Sequence, residues 1–148
     1  MEFSLELIVL PVSDVDRAAE FYRRIGFRED LDYVGGAGFR VVHFTPPGSA
    51  CSIVVGAGIG TAVPGSAENV HLVVGDIVAA RAELIARGVA VSEIFHDPEA
   101  VLFHQADERK RQPGLYPGRL SYASFASFTD PDGNGFLLQE VTERHPGR

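Results

Sequence analysis

The chain has 148 residues and is 45% apolar, with mean hydropathy near zero, a length and composition that bury one ordinary core. A net charge of −7 and a pI near 5.1 argue against nucleic acid, whose binders carry a basic face for phosphates. Cys51 is the single cysteine, so intrachain disulfides, zinc ribbons and CxxC redox pairs are excluded; without an apolar span or a basic leader, a cytoplasmic protein with no membrane partner is expected.

In chain order, an apolar strand over about 3 to 11 runs into Asp14, a residue suited to cap a helix start. Val15, Ala18, Ala19, Tyr22 and Ile25 then follow helical spacing, and Gly26 suits the left-handed position past the helix end. Strands are expected near 27 to 34, 39 to 45 and 51 to 56. Gly56-Ala57-Gly58-Ile59-Gly60 has no following helix to offer an anion-binding terminus, so it reads as a link rather than a phosphate loop.

The same order then repeats. Asp76, Ala80 and Gly88 each lie 62 residues after Asp14, Ala18 and Gly26, with a strand over 68 to 75 and a helical stripe of Ile77, Ala80, Leu84 and Ile85. Strands at 90 to 96, 121 to 129 and 136 to 142 complete a second β-α-β-β-β module, about 66 to 143, after a first of about 1 to 60. Phe128-Thr129 lies 84 residues after Phe44-Thr45, which places 22 extra residues mainly in 97 to 120. That stretch holds Arg109, Lys110, Arg111 and Arg119 and reads as a long loop with little regular structure, either a lid over a pocket or a mobile insertion.

Two such modules in tandem, LPVSDVDRAAEFYRRIGF at the first strand-helix junction and FTDPDGNGFLLQEV near the end together resemble the vicinal oxygen chelate family of glyoxalase I, bleomycin-resistance proteins and extradiol dioxygenases. The resemblance implies an α+β fold, a single domain over 1 to 148 whose modules form a cupped, eight-stranded mixed sheet, and a homodimer. Metal-bearing members of that family place ligands on strands one, four, five and eight. Matched to this chain, those positions are Leu7, Ile53, Asn69 and Leu137. Three aliphatic side chains and an amide do not hold a divalent metal, so no cofactor is expected.

Side chains alternate faces along a strand, so His71 and Gln139 share the inward side with Asn69 and Leu137, whereas Glu6 and Glu140 turn away. Tyr122 and Ser124 would add an aromatic wall and a polar anchor. The expected function is metal-independent binding of a small aromatic or antibiotic-like molecule, with loop arginines free for its carboxylate or phosphate. The alternative is a lyase, isomerase or dioxygenase with relocated ligands, His43, His71 and His96 for example, or with His71 and Tyr122 as acid/base groups.

Overall fold

In a computed structural model, residues 1–147 are described. They form two compact units, Met1–Glu68 with Thr129–Gly135, and Asn69–Phe128 with 136–147. The units follow the two modules, except that the turn at 129–135 belongs with the first.

The first unit holds β1 (Leu7–Val9), α1 (Val15–Arg24), β2 (Arg28–Val34), β3 (Arg40–Thr45) and β4 (Ser52–Ala57). Asp14 caps α1 by accepting the Arg17 N–H at 3.0 Å, and Gly26 follows the helix at φ 93°. The strands lie in the order β1-β4-β3-β2, with β1 parallel to β4 and the other pairs antiparallel. Tyr22 of α1 packs its ring 5.5 Å from Phe44, which fixes the helix-covered side of the sheet. Phe44 is paired with Ile53, and Ile53 with Ile8, so these residues share that side with Val42 and Leu10. The opposite face carries Leu7, Val9, His43, Val54, Leu31 and Tyr33.

The second unit repeats the plan with β5 (Val70–Val74), α2 (Ile77–Ala86), β6 (Phe95–His96), β7 (Gln112–Pro113), β8 (Phe125–Thr129) and β9 (Gly135–Glu140). Asp76 caps α2 through the Ala79 N–H at 3.0 Å, and Gly88 sits at φ 80°. The strand order is β5-β9-β8-β6-β7, with β5 parallel to β9. Of the stripe read on α2, Ile77 is buried, whereas Ile85 is 45% exposed.

Three expectations need correction. The segment 97 to 120 is more structured than anticipated: it contains a 3-10 turn at Glu108–Lys110 and the short strand β7, which brings the described strands to nine. The sixth strand shrinks to two residues because the Ser92 hydroxyl, in place of a ladder carbonyl, takes the Ser127 N–H. The seventh begins at Phe125, the chain before it being turned at Tyr122, where φ is 70°.

Candidate functional site

The site-bearing surface of the second unit is the sheet face that α2 leaves uncovered. Glu140 accepts the Ile77 N–H at the start of α2 at 2.9 Å, so its side of β9 is the helix side. His71 is paired with Leu137 and Val73 with Gln139, so these four share the other face. Phe95, buried against Phe125 and Leu137, joins them from β6.

His71 is fixed by Gln139, whose Oε1 lies 3.1 Å from the imidazole Nδ1. The Gln139 Nε2 donates to the carbonyls of Tyr122 at 2.9 Å and Leu102 at 3.1 Å. The other imidazole nitrogen, Nε2, is buried and has no hydrogen-bond partner. An orphaned polar atom of this kind costs about 1–3 kcal/mol when nothing pairs with it.

A chain of aromatic contacts starts at that imidazole. Phe103 stacks on His71 at 4.9 Å with planes 18° apart, and on His104 at 5.1 Å with planes 8° apart. His104 in turn meets Phe95 and Phe125 edge to face. Its Nδ1 lies 3.0 Å from the Gln105 carbonyl and its Nε2 3.1 Å from the Asn69 amide, so Asn69 is already committed. Asn69 stands at φ 56°, a left-handed conformation that asparagine tolerates well.

Asp97, fully buried, holds this part of the loop in place. One carboxylate oxygen accepts the N–H groups of Glu99 and Ala100, and the other that of Gln105. The Gln105 N–H foremost, with those of Glu99 and Ala100, holds the carboxyl below its usual range. The basic residues of the loop are mostly committed too: Arg109 pairs with Asp107, Lys110 with Glu99, and Arg119 with Glu140 and Asp76. The expectation that they stand free for a ligand anion is therefore corrected. Arg111 is paired as well, with Glu108 at 3.3 Å, while its guanidinium lies 4.3 Å above Phe95 and its Nε is buried without an acceptor.

The matched residues divide. Leu7 lies on the face that α1 leaves uncovered, whereas Ile53 lies against α1, and Val54 stands on Leu7's side in its place. The cause is a single residue: the connection 46–51 is one longer than 130–134, and a one-residue slip reverses a strand's faces. In the second unit, Leu137 and Gln139 line the uncovered face with His71, and Asn69 reaches it through His104.

Tyr122 and Ser124 do not line it. The Tyr122 ring stacks on His145 at 4.4 Å, and the buried Ser124 hydroxyl accepts the Tyr116 N–H. Phe125 has the position they were expected to fill. Phe95, Phe103, His104 and Phe125 were missed; the pairing of Phe95 with Phe125 could have been anticipated only by knowing where the seventh strand starts.

The metal-holding positions of the family, read with the corrected register, are Leu7, Val54, Asn69 and Leu137, and these donors do not fit a divalent ion. Among the described residues, no group of three His, Cys, Asp or Glu side chains is placed to hold one. His43, His71 and His96 form no such group among the described residues. His96 turns away from Phe95's side, with its Nδ1 2.9 Å from the Gly114 carbonyl.

The second unit thus presents a sheet face lined with rings and one orphaned imidazole nitrogen, on a duplicated β-α-β-β-β plan. The chain belongs to the Glyoxalase/Bleomycin resistance protein/Dioxygenase superfamily, whose model matches residues 4–138. It is similar to the crystal structure of TnmS3, an antibiotic binding protein from Streptomyces sp. CB03234, at 30% identity over 95% of this chain and 98% of that one, with TM-score 0.70. A glyoxalase/bleomycin resistance protein from the same Streptomyces is 30% identical over 93% of this chain and 100% of its own, with TM-score 0.66. A superfamily member from Sphaerobacter thermophilus DSM 20745 is 26% identical over 94% and 98%, with TM-score 0.65. No curated protein sequence matches the chain. Among the described residues, no helix is long and apolar enough to cross a membrane.

Proposed function

We propose that the protein is a cytoplasmic, metal-independent binding protein that sequesters a small aromatic or antibiotic-like compound. One observation carries this reading: the imidazole of His71, whose Nε2 is buried and unpaired, stacks on Phe103, which begins a chain of ring contacts through His104 to Phe95 and Phe125. Aromatic walls around a few fixed polar atoms are what a small-molecule site needs. The likeness to an antibiotic binding protein from Streptomyces supports the same class of ligand.

The test is elemental analysis of protein purified without chelator, followed by a thermal-shift screen of polycyclic aromatic compounds and hydrophobic antibiotics. The reading expects no stoichiometric metal. It also expects a shift equivalent to about 2.7 kcal/mol for a compound held at 100 times its Kd. Stoichiometric iron, zinc, manganese or nickel, lost in His71→Ala, would instead support a lyase or dioxygenase. We also propose a homodimer, supported by Leu31, Tyr33 and Val34, exposed on edge strand β2; light scattering at the monomer mass would refute it.

A further inference from the structure

Gln139 has its amide orientation dictated from outside. Its nitrogen faces two backbone carbonyls, Tyr122 at 2.9 Å and Leu102 at 3.1 Å, and carbonyls only accept. Turning the amide over would set its oxygen against both of them. The oxygen therefore points at His71, 3.1 Å from Nδ1, and that contact is a hydrogen bond only if Nδ1 carries the proton. A neutral imidazole with its proton on Nδ1 has a bare lone pair on Nε2, the atom that is buried without a partner.

We infer that Gln139 sets His71 as an obligate hydrogen-bond acceptor, so that the site selects aromatic ligands carrying a hydroxyl or N–H donor over the same ring system without one. The inference rests on the binding reading above and adds what the ligand must present. A phenol satisfies both requirements. Its hydroxyl donates to the Nε2 lone pair in the plane of the imidazole, and its ring packs beside the aromatic side chains next to His71. An aryl ether of the same shape leaves the lone pair unpaired and sets a second acceptor beside it. Gln139 acts here as a positioning residue, and its role is legible in a tautomer rather than in stability alone.

Two measurements test this. Long-range proton–nitrogen NMR spectra of protein with labelled histidine give the His71 tautomer without any ligand. A protonated Nδ1 and a bare Nε2 are expected; a proton on Nε2, or on both nitrogens, overturns the inference. Titration with 2-naphthol and 2-methoxynaphthalene then gives the selectivity, expected at about tenfold or more for the naphthol and falling to near unity in His71→Phe. Equal binding of the two by the unaltered protein overturns donor selection while leaving the binding reading intact. Binding of neither sinks the binding reading itself. Because the decisive readings come from the unaltered protein, a variant that fails to fold does not rescue the inference.

Discussion

Tyr22 shows how much one side chain of α1 does. Its ring packs against Phe21, Phe27 and Phe44, and its hydroxyl donates to Asp130 Oδ2 at 2.7 Å. The other oxygen of Asp130 accepts the N–H groups of Asp132, Gly133 and Asn134, so the phenol anchors a whole turn. Burial, then the adjacent Asp130 carboxylate, push the Tyr22 hydroxyl far above the ordinary tyrosine range. A group whose folded pKa is raised contributes stability fully below its unfolded value, near 10, and that stability is lost as pH climbs past it. Tyr22→Phe should therefore cost about 1–2 kcal/mol at pH 7 and flatten the alkaline fall. Urea unfolding at pH 7 and pH 11 checks this; an unchanged alkaline fall in the variant would sink it. A second residue-scale contrast lies in two glycines at positive φ. A Cβ on Gly65 would lie 2.0 Å from the Asp132 carbonyl oxygen, whereas one on Gly88 would meet nothing within 4 Å. Gly88→Ala should cost about 1 kcal/mol, the left-handed penalty alone, and Gly65→Ala distinctly more; similar losses in denaturant melts would contradict the contrast.

Among the elements, the loop turn carrying Phe103 has the most to say about binding. Phe103 is 48% exposed yet stacks on two imidazoles, so on the proposed reading it closes over the imidazole that a ligand must reach. Phe103→Ala should tighten 2-naphthol several-fold, because the ligand no longer displaces a stacking contact of roughly 0.5–1.5 kcal/mol. Weaker binding in that variant would make Phe103 part of the ligand's wall instead. The elements themselves were readable from the chain, because Asp14 and Asp76, Gly26 and Gly88 set both helix boundaries by local chemistry. The opposed faces of His71 and Glu140 were readable too, since strand parity is local. What escaped was non-local. Ile53 was matched through a turn whose length differs by one residue between the modules, and nothing in the strands records that difference. Phe103 and His104 come from a stretch without periodicity, whose placement depends on Asp97 collecting three N–H groups.

On the scale of the whole molecule, charge and pairing pull in opposite directions as pH falls. The chain carries −7 at pH 7, and approach to its pI near 5.1 relieves self-repulsion. Against this stand carboxylates that folding keeps ionised. Glu140 lies below its ordinary range chiefly through the Arg119 guanidinium, Asp32 through Arg40, and Asp76 through the Ala79 N–H. A depressed pKa contributes stability that is present above the unfolded value, near 4, and is lost as pH falls toward the folded one. Stability should therefore hold level from about pH 5 to 9 and fall on the acid side below about 4. Glu140 is the most informative single contributor: it is buried, accepts Nε and Nη2 of Arg119 at 2.9 Å each, and caps α2. Glu140→Gln should cost about 2 kcal/mol at pH 7, where the charged hydrogen bonds are lost. At pH 3 the difference from the unaltered protein should shrink, since protonation begins to remove the same charge. Urea midpoints at the two pH values decide the matter, and an equal loss at both would assign Glu140 a packing role in place of an electrostatic one.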